Sequence, residues 1–546
     1  MNKKLIFSAA ALLLLTAACS NDDNNPSGDG NAAKGIEFKV NFADYNAEQE
    51  AGVTRAGHSE APLEQQTVDL GNGVLAQCTL QRDTTRQPRA AATRALPADT
   101  YTMLVYNAAT HAYVTGVTGT VTGSYFSPTS LSKAIVPAGT YDFVLFNSKV
   151  TRSGNNLTVT RANAADALIA RTQQVVTATP QRQYVTFNMK HVGAKVKIKL
   201  TGYMDIPAVS ATLASVNATD VPASSVYDAS TGTWTAGAGA AMTAATTYPA
   251  STEPKFTSVT YTTKSNEDVA FMPSTDVSKL KLTFNSGTIY LQNMANAGLT
   301  FKPATTLKLD ANGAYVLNVK LMYAFLYLMS DGTVGTVKET TYGGGTKTPI
   351  AVVLSRSKHM AVALKNANGD ALMYWASGGY ASIQTNTHAT GSFADVLGSS
   401  ATSGKDETWD ASYSTGSIGV KGTNPAFTAF YAAAHYNPGV TYTGSPALTW
   451  YLPSYSDWAR LFSVLGFGDE TALSSQGTYN WYGNLADIAF TQVSGSYITG
   501  RWLWSSSEGG PTVAYDLGTA PSYVHWNTNP KVSSYSAMYI RPFVEY

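Results

Sequence analysis

The sequence predicts a mainly β protein of about three domains, built for life outside the cytoplasm. Three observations carry that reading. Apolar residues recur with period two in segment after segment, the mark of half-buried strands. The chain is only 13% charged yet rich in Gly, Ser, Thr, Ala and Tyr, as an extracellular β-protein with many turns would be. Helical periodicity is nearly absent before residue 320, and at 546 residues the chain is too long for one core, given about 100–200 residues per domain.

The N-terminus reads as an address. Lys3 and Lys4 precede an apolar run, Leu5 to Ala18, too short to span a bilayer, which ends in "LTAAC" at Cys19. This resembles a bacterial lipoprotein signal, which implies acylation of Cys19, although Leu15 stands four residues before the cysteine instead of three. A plain secretory signal with an incidental Cys19 is the alternative. Residues 1–19 are therefore assigned as signal and 20–35, "SNDDNNPSGDGNAAKG", as a flexible tether. Asp22 and Asp23 after the cysteine resemble surface-export signals of Bacteroidota lipoproteins. The implied anchor is lipid, each buried methylene contributing about 0.8 kcal/mol.

Strands follow. In "IEFKVNF", Ile36, Phe38, Val40 and Phe42 share one face. Tyr101 to Tyr106 and Tyr141 to Phe146 are continuous apolar runs bounded by turn residues, which predicts strands inside a sandwich. Lys195, Lys197 and Lys199 alternate with Val196, Ile198 and Leu200, and "KLKLTF" and "AYVLNVKLMY" repeat that pattern up to Tyr323. Asn163 to Arg171 is expected to form two helical turns. Cys78 has no intrachain disulfide partner once Cys19 is acylated, and is expected to be a small buried hydrophobe.

The ordered series "TRALPADTYTMLVYN", "VPAGTYDFVLFN", "VTFNMKHVGAKVKIKL" and "LKLDANGAYVLNVKL" resembles the Bacteroidales fimbrillin family. The resemblance covers about Ile36 to Tyr323. It implies two tandem transthyretin-like β-sandwiches, 36–201 and 202–323, with Lys190-His191 opening a long alternating strand. His191 is expected to be structural.

From Ala324 the character changes and aromatic residues concentrate. Ser454 to Phe462 carries an amphipathic helix that Ser454 or Ser456 can cap, with Asp457 at the positive end of its dipole. "WYLPSYSDW", "WSSSE" and "RPF" resemble the C-type-lectin-like fold, which implies an α+β domain over 324–546.

Catalytic and nucleic-acid functions find little support. There is no His-Glu-x-x-His, no Gly-x-Ser-x-Gly and no calcium loop, and the seven histidines include no i, i+4 pair. "GGGTKT" lacks the glycine before lysine and the strand-to-helix setting of a phosphate loop. Formylglycine-generating relatives of the C-type-lectin-like fold use a cysteine pair that is missing here, and "HWNTNP" has Thr528 where calcium lectins place aspartate. With 37 Lys and Arg against 36 Asp and Glu, no net field favours nucleic acid. The reading is of a non-enzyme without cofactor or metal. Trp526, Trp502 and Trp481 are the candidates to stack on sugar rings, while Trp450 and Trp504 are expected in the core.

The fimbrillin resemblance implies a pilus subunit exported as a palmitate-bearing outer-membrane lipoprotein, then cut by an arginine-specific protease. Loss of the first strand opens a groove that another pilin subunit fills by β-strand addition, or donor-strand exchange. Two cuts fit: Arg55 in "GVTRAG" and Arg94 in "AAATRALP", whose loop also holds Arg82, Arg86 and Arg89. Because Tyr539 to Tyr546 is expected to close the lectin-like domain, the chain is expected to accept a strand without donating one. That is a tip pilin of the fimbrium, with its C-terminal domain as a cell-adhesion module for a glycan or protein ligand. The competing class is a lipid-anchored outer-membrane glycan-binding protein that does not polymerise.

Overall fold

The structure, a computed structural model, describes residues 36–46, 61–63, 67–83, 96–129, 136–178, 183–398 and 403–546. Cys19, the segment 20–35, Arg55, Arg86, Arg89 and Arg94 lie outside these residues. The described chain is mainly β, and its path alternates between units. β1 (Ile36–Phe42) enters a first unit and β2 (Val74–Arg82) enters a second. The chain returns to the first unit for β3 (Thr100–Asn107), β4 (Tyr113–Thr122), β5 (Tyr125–Pro128) and β6 (Gly139–Asn147). β7 (Asn156–Thr160) lies outside that sheet, and β8 (Leu168–Val176) and β9 (Gln183–His191) complete it.

Hydrogen bonding runs round all seven strands of the first unit, in the order β1-β9-β8-β6-β3-β4-β5 and back to β1. Where a two-sheet sandwich was expected, this is a closed barrel, because β1 pairs with both β9 and β5. The continuous apolar runs have their explanation in what lies on each face. Tyr101, Met103, Val105, Phe143 and Leu145 fill the barrel. Leu104, Tyr106, Val144 and Phe146 point outward against Leu157, Val159 and Tyr227. Burial of such side chains contributes about 1.5–3 kcal/mol each.

The second unit contains β10 (Ala194–Gly202), β11 (Val209–Ser215), β13 (Thr243–Tyr248), β14 (Leu280–Ser286) and β15 (Ala314–Tyr323), while β12 (Ser224–Asp228) reaches back to pair with β7 over the barrel. One sheet runs from β2 through β15 to β10 and on to Tyr261–Lys264. The facing sheet is β13-β11-β14 with Gly298–Thr300. Ile198, Leu200, Leu317, Val319 and Leu321 meet Leu213, Leu282 and Phe284 between them. The sheets thus do not follow the expected boundary at 201/202. β2 and β10 belong to the second unit, and β12 covers the first.

Three local expectations change. Lys190-His191 ends β9, and the lysine ladder is a separate strand, β10, in another sheet. Residues expected as two helical turns form a 3-10 turn, Arg161–Asn163, and then strand β8, since Leu168, Ile169 and Ala170 all bury in the sheet. Arg82 ends β2 instead of lying in the loop. It pairs with Asp310 and stacks 4.6 Å over Tyr315. Cys78 is buried in the second core.

The C-terminal unit has a six-stranded sheet in which β16 (Pro349–Ser355), β17 (Met360–Ala363) and a later strand lie side by side. Its four-stranded sheet runs Gly477–Asn480, β20 (Tyr523–Pro530), β19 (Val513–Thr519), β18 (Arg501–Glu508). The later strand of the larger sheet is β21 (Phe543–Glu545). The helix Tyr455–Gly466 starts with a capping box: Asp457 N–H donates to Ser454 Oγ at 3.2 Å and Ser454 N–H donates to Asp457 Oδ2 at 2.9 Å. Phe467, left-handed at φ 53°, ends it. This unit packs on the second one through Phe256–Tyr482 at 4.6 Å and Tyr323–Phe467 at 5.1 Å.

Candidate subunit interface and ligand face

β1 occupies its seat through a row of apolar side chains. Phe38 and Val40 are buried, and Ile36 and Phe42 pack on the same core. The Phe38 ring stands 6.1 Å from Phe126, 6.0 Å from Phe143 and 6.4 Å from Phe187. Along one side β1 runs parallel to β9 for its whole length, from Ile36 opposite Gln183 to Phe42 opposite Met189. Along the other it meets β5 only at Phe38 and Lys39, with Val40 N–H donating to Ser124 O at 2.8 Å. On the solvent side, Lys39 Nζ sits 3.8 Å over the Tyr184 ring and Asn41 Nδ2 donates to Asn188 Oδ1 at 3.1 Å. The seat is therefore an apolar trough with a ladder of backbone groups on the β9 edge.

Just beyond β1 the chain is clamped where the two units meet. Tyr45 stacks on His191 with ring centres 4.0 Å apart and 7° between planes, and its hydroxyl donates to Ala165 O at 3.1 Å. Asn46, left-handed at φ 64°, donates from Nδ2 to Asp83 O and Ala314 O at 3.2 and 3.0 Å. Its Oδ1 accepts from Ala314 N–H and from Arg82 Nη1, both at 3.0 Å. Asn312 Nδ2 donates to Asp44 O at 3.1 Å. One short segment thus ties the exit of β1 to the end of β2 and the start of β15. A cleft of about 360 Å³ beside it is lined by Phe42, Asp44, Tyr45, His191 and Lys195 among others. Burial pushes the His191 imidazole down to about 4, so it is neutral at neutral pH, stacked on Tyr45 and edge-on to Phe42 at 5.3 Å. Sequence reasoning found β1 but not this clamp, because its partners stand far apart in the chain.

In the C-terminal unit, β21 lies inside its sheet. It pairs with β17 on one side and with Thr449–Tyr451 on the other, and Phe543 and Val544 are fully buried. The "WSSSE" residues are interior. Lys531 Nζ pairs with Glu508 and also donates to Ile383 O and Pro511 O at 2.7 and 2.8 Å. Ser506 Oγ donates to Glu407, whose carboxyl is pushed by burial up to about 8 and therefore holds a proton at neutral pH. Asn386 Nδ2 donates to Ser506 O at 2.9 Å in the same cluster. Among the described residues no group of three or more His, Cys, Asp or Glu side chains forms a metal-ligand set.

The candidate sugar-stacking residues separate. Trp526 and Trp481 are fully buried: Trp526 packs edge-on against Tyr455 and Phe462, and Trp481 stacks with Phe462. Neither offers a ring face, because Trp526 points from β20 into the core and Trp481, just past Gly477–Asn480, packs into the same core, which corrects the expectation for these two. Trp502 is 45% exposed on the opposite face of that sheet. Trp450 and Trp504 are buried.

Residues 95–338 match a family model described as fimbrillin-like. No curated protein matches the chain. Among solved structures, a candidate cell adhesion protein of Bacteroides ovatus is similar at 14% identity, covering 56% of this chain and 98% of its own, with a TM-score of 0.31. A candidate cell adhesion protein of Bacteroides uniformis is similar at 14% identity over 41% and 86%, TM-score 0.28. A fimbrial protein of Bacteroides ovatus is similar at 11% identity over 94% and 100%, TM-score 0.22. The matched segment starts at Ala95, past β1 and β2, and takes in the remaining barrel strands and most of the second unit, so the similarity to the fimbrillin-like family lies in this part of the chain.

Proposed function

We propose that the protein is a cell-surface pilus subunit whose N-terminal strand is a removable stand-in for a strand supplied by a neighbouring subunit. The observation that carries this is the seat of β1. The strand closes the barrel through one apolar row, yet the next barrel strand begins only at Thr100, after an excursion through the second unit. Taking β1 away leaves six strands, an apolar trough and unpaired donors and acceptors on β9, which is what strand addition requires.

The two candidate cuts differ in consequence. A cut after Arg55 frees β1 alone. A cut after Arg94 also frees β2, exposing the edge of β15 and the core positions of Val74, Leu75, Ala76, Cys78 and Leu80. The fimbrillin-like match beginning at Ala95 supports the second cut.

The subunit stands at the fibre tip, and its C-terminal unit, read as C-type-lectin-like, is the adhesin. Support comes from β21, which is paired on both edges and so is not free to be handed on. Lipid anchorage through Cys19 at the outer membrane precedes processing. The test is N-terminal sequencing of surface-extracted protein. A start at Ala56 or Ala95 is expected, whereas an intact acylated Cys19 on every copy overturns the reading in favour of a lipid-anchored glycan-binding protein that does not polymerise. Fibre preparations carrying the protein along their whole length would remove the tip assignment.

A further inference from the structure

The four-stranded sheet of the C-terminal unit turns one face inward with Trp526 and Val524 and leaves part of the other open. We propose that the open row Trp502–Gly518–His525–Thr478 is a binding site for an uncharged pyranose sugar. This rests on the adhesin reading above and names the face that would do the adhering.

Register makes the row. Trp502 stands opposite Gly518, Gly518 opposite His525, and His525 opposite Thr478, so four strands contribute one position each. Gly518 leaves a gap that the indole fills: a Cβ there would lie 3.0 Å from Cη2, Cζ2 and Cζ3 of Trp502. One ring face therefore rests on the strand while the side chain stays 45% exposed. The His525 ring meets Trp502 at 5.9 Å and 78°, and Thr478 Oγ1 lies 3.1 Å from His525 Nδ1. Both rings are thus positioned before any ligand arrives, which lowers the cost of binding. Tyr523, 42% exposed, and Asn480 stand opposite one another one step along the same face.

The chemistry selects the occupant. A pyranose presents an apolar face of C–H groups and a rim of hydroxyls. A fixed flat aromatic takes the first, and the imidazole edge, hydroxyls and amide around it take the second. The four residues of the row and the Tyr523–Asn480 pair beside them carry no carboxylate or ammonium, and Asp516, one step the other way on the same face, is fully buried and accepts from Asn529 Nδ2 at 3.0 Å, which favours a neutral sugar. Size points the same way: strands about 4.8 Å apart make a platform about 15 Å long, enough for one or two rings. That is well below the ~800 Å² per partner of a stable protein interface.

The test applies the full chain and its variants to an array of neutral and anionic glycans, with melting temperature as a control. Wild type should retain a subset of neutral glycans. Trp502→Leu keeps an apolar cover over Gly518 but has no π face, and should weaken binding roughly tenfold or more, the factor for about 1.4 kcal/mol, at near-native melting temperature. Trp502→Phe should retain more than Trp502→Leu, and His525→Ala, which leaves the indole in place, should also weaken binding. If no neutral glycan is retained by wild type, or if Trp502→Leu binds as wild type does, the proposal is overturned and the indole serves only to cover a cross-strand glycine. Electron microscopy of fibres from the same variants separates the two readings. Normal fibres without glycan binding overturn this site alone, and glycan binding without any fibres overturns the pilus reading alone.

Discussion

Two strands in this molecule border the same kind of apolar interior and are held in opposite ways. β1 spans its barrel from the beginning of the described chain, fully paired along β9 but meeting β5 at only two positions. β21 is three residues long, yet it is paired on both edges and preceded by Arg541, whose buried guanidinium donates to Ala363 O, Ser496 O and Tyr497 O at 3.0–3.3 Å. Both positions are apolar and buried, so burial alone does not separate the strand proposed to be exchanged from the one proposed to stay. What differs is the pairing. β1 meets β5 at two of its seven positions and is held beyond its end by the Asp44–Asn46 clamp, whereas every residue of β21 is paired on both edges.

The largest expected effect tests that contrast directly. Phe38→Ala and Phe543→Ala should each cost about 3–5 kcal/mol, the usual range for a buried phenylalanine, measured by denaturant unfolding. A synthetic peptide of sequence IEFKVNF should bind a chain cut after Arg55, read by protection of the β9 amides in hydrogen exchange. A peptide carrying the β21 sequence should not rescue Phe543→Ala. Equal rescue at both ends would break the comparison.

Next come pH effects of opposite sign. His191 is held near 4 by burial, below its ordinary value of about 6.5. The folded clamp therefore prefers the neutral ring, and stability falls as pH drops from 6.5 towards 4, by about 3 kcal/mol at most. The groups facing it are Asp44, Asp166 and Lys195. His191→Gln should flatten this acid limb, followed as the melting of the N-terminal units. In the C-terminal unit Glu407 is held protonated, near 8 against about 4.3 for a free glutamate. Its contribution is present at acid pH and declines as pH rises, about 1 kcal/mol between pH 7 and 8. Glu407→Gln, which keeps a donor at that position, should flatten that limb in thermal scans. If both units lose stability in the same direction, the contrast between them fails.

The smallest expected effect is at the helix Tyr455–Gly466. Ser454→Ala removes one half of the capping box and should cost about 1 kcal/mol, read as a shift in the denaturation midpoint of the C-terminal unit without change at β1.

How much of this was legible in the sequence varies with the range of the interactions. The alternation in Ile36–Phe42 and in Lys195–Leu200 specifies strands and their buried faces, whereas the continuous runs Tyr101–Tyr106 and Tyr141–Phe146 read as strands of a sandwich and do not announce a closed barrel with a separate apolar cluster on its outside. Ser454 with Asp457 announces a helix start, because caps are made between residues three apart. The candidate interface was half legible: the apolar row of β1 can be read, while the clamp of Asn46 on Ala314 and Tyr45 on His191 cannot, since nothing local links those positions. The tryptophans make the same point. Trp502 and Trp526 are both aromatics in strands of one sheet, and which of them meets solvent depends on which face the rest of the unit covers.

Period-two alternation, capping and an ordered motif series are properties of neighbours along the chain, and they suffice to read most strands, their inward faces, the helix cap and the resemblance to fimbrillins. That β2 leaves the first unit for the second, that β12 returns to roof the barrel, and that Trp502 alone of the three candidate aromatics shows a ring to solvent follow only from the packing. Strand partners are chosen by contacts between distant residues, and a strand's local pattern says that it needs a neighbour without saying which one.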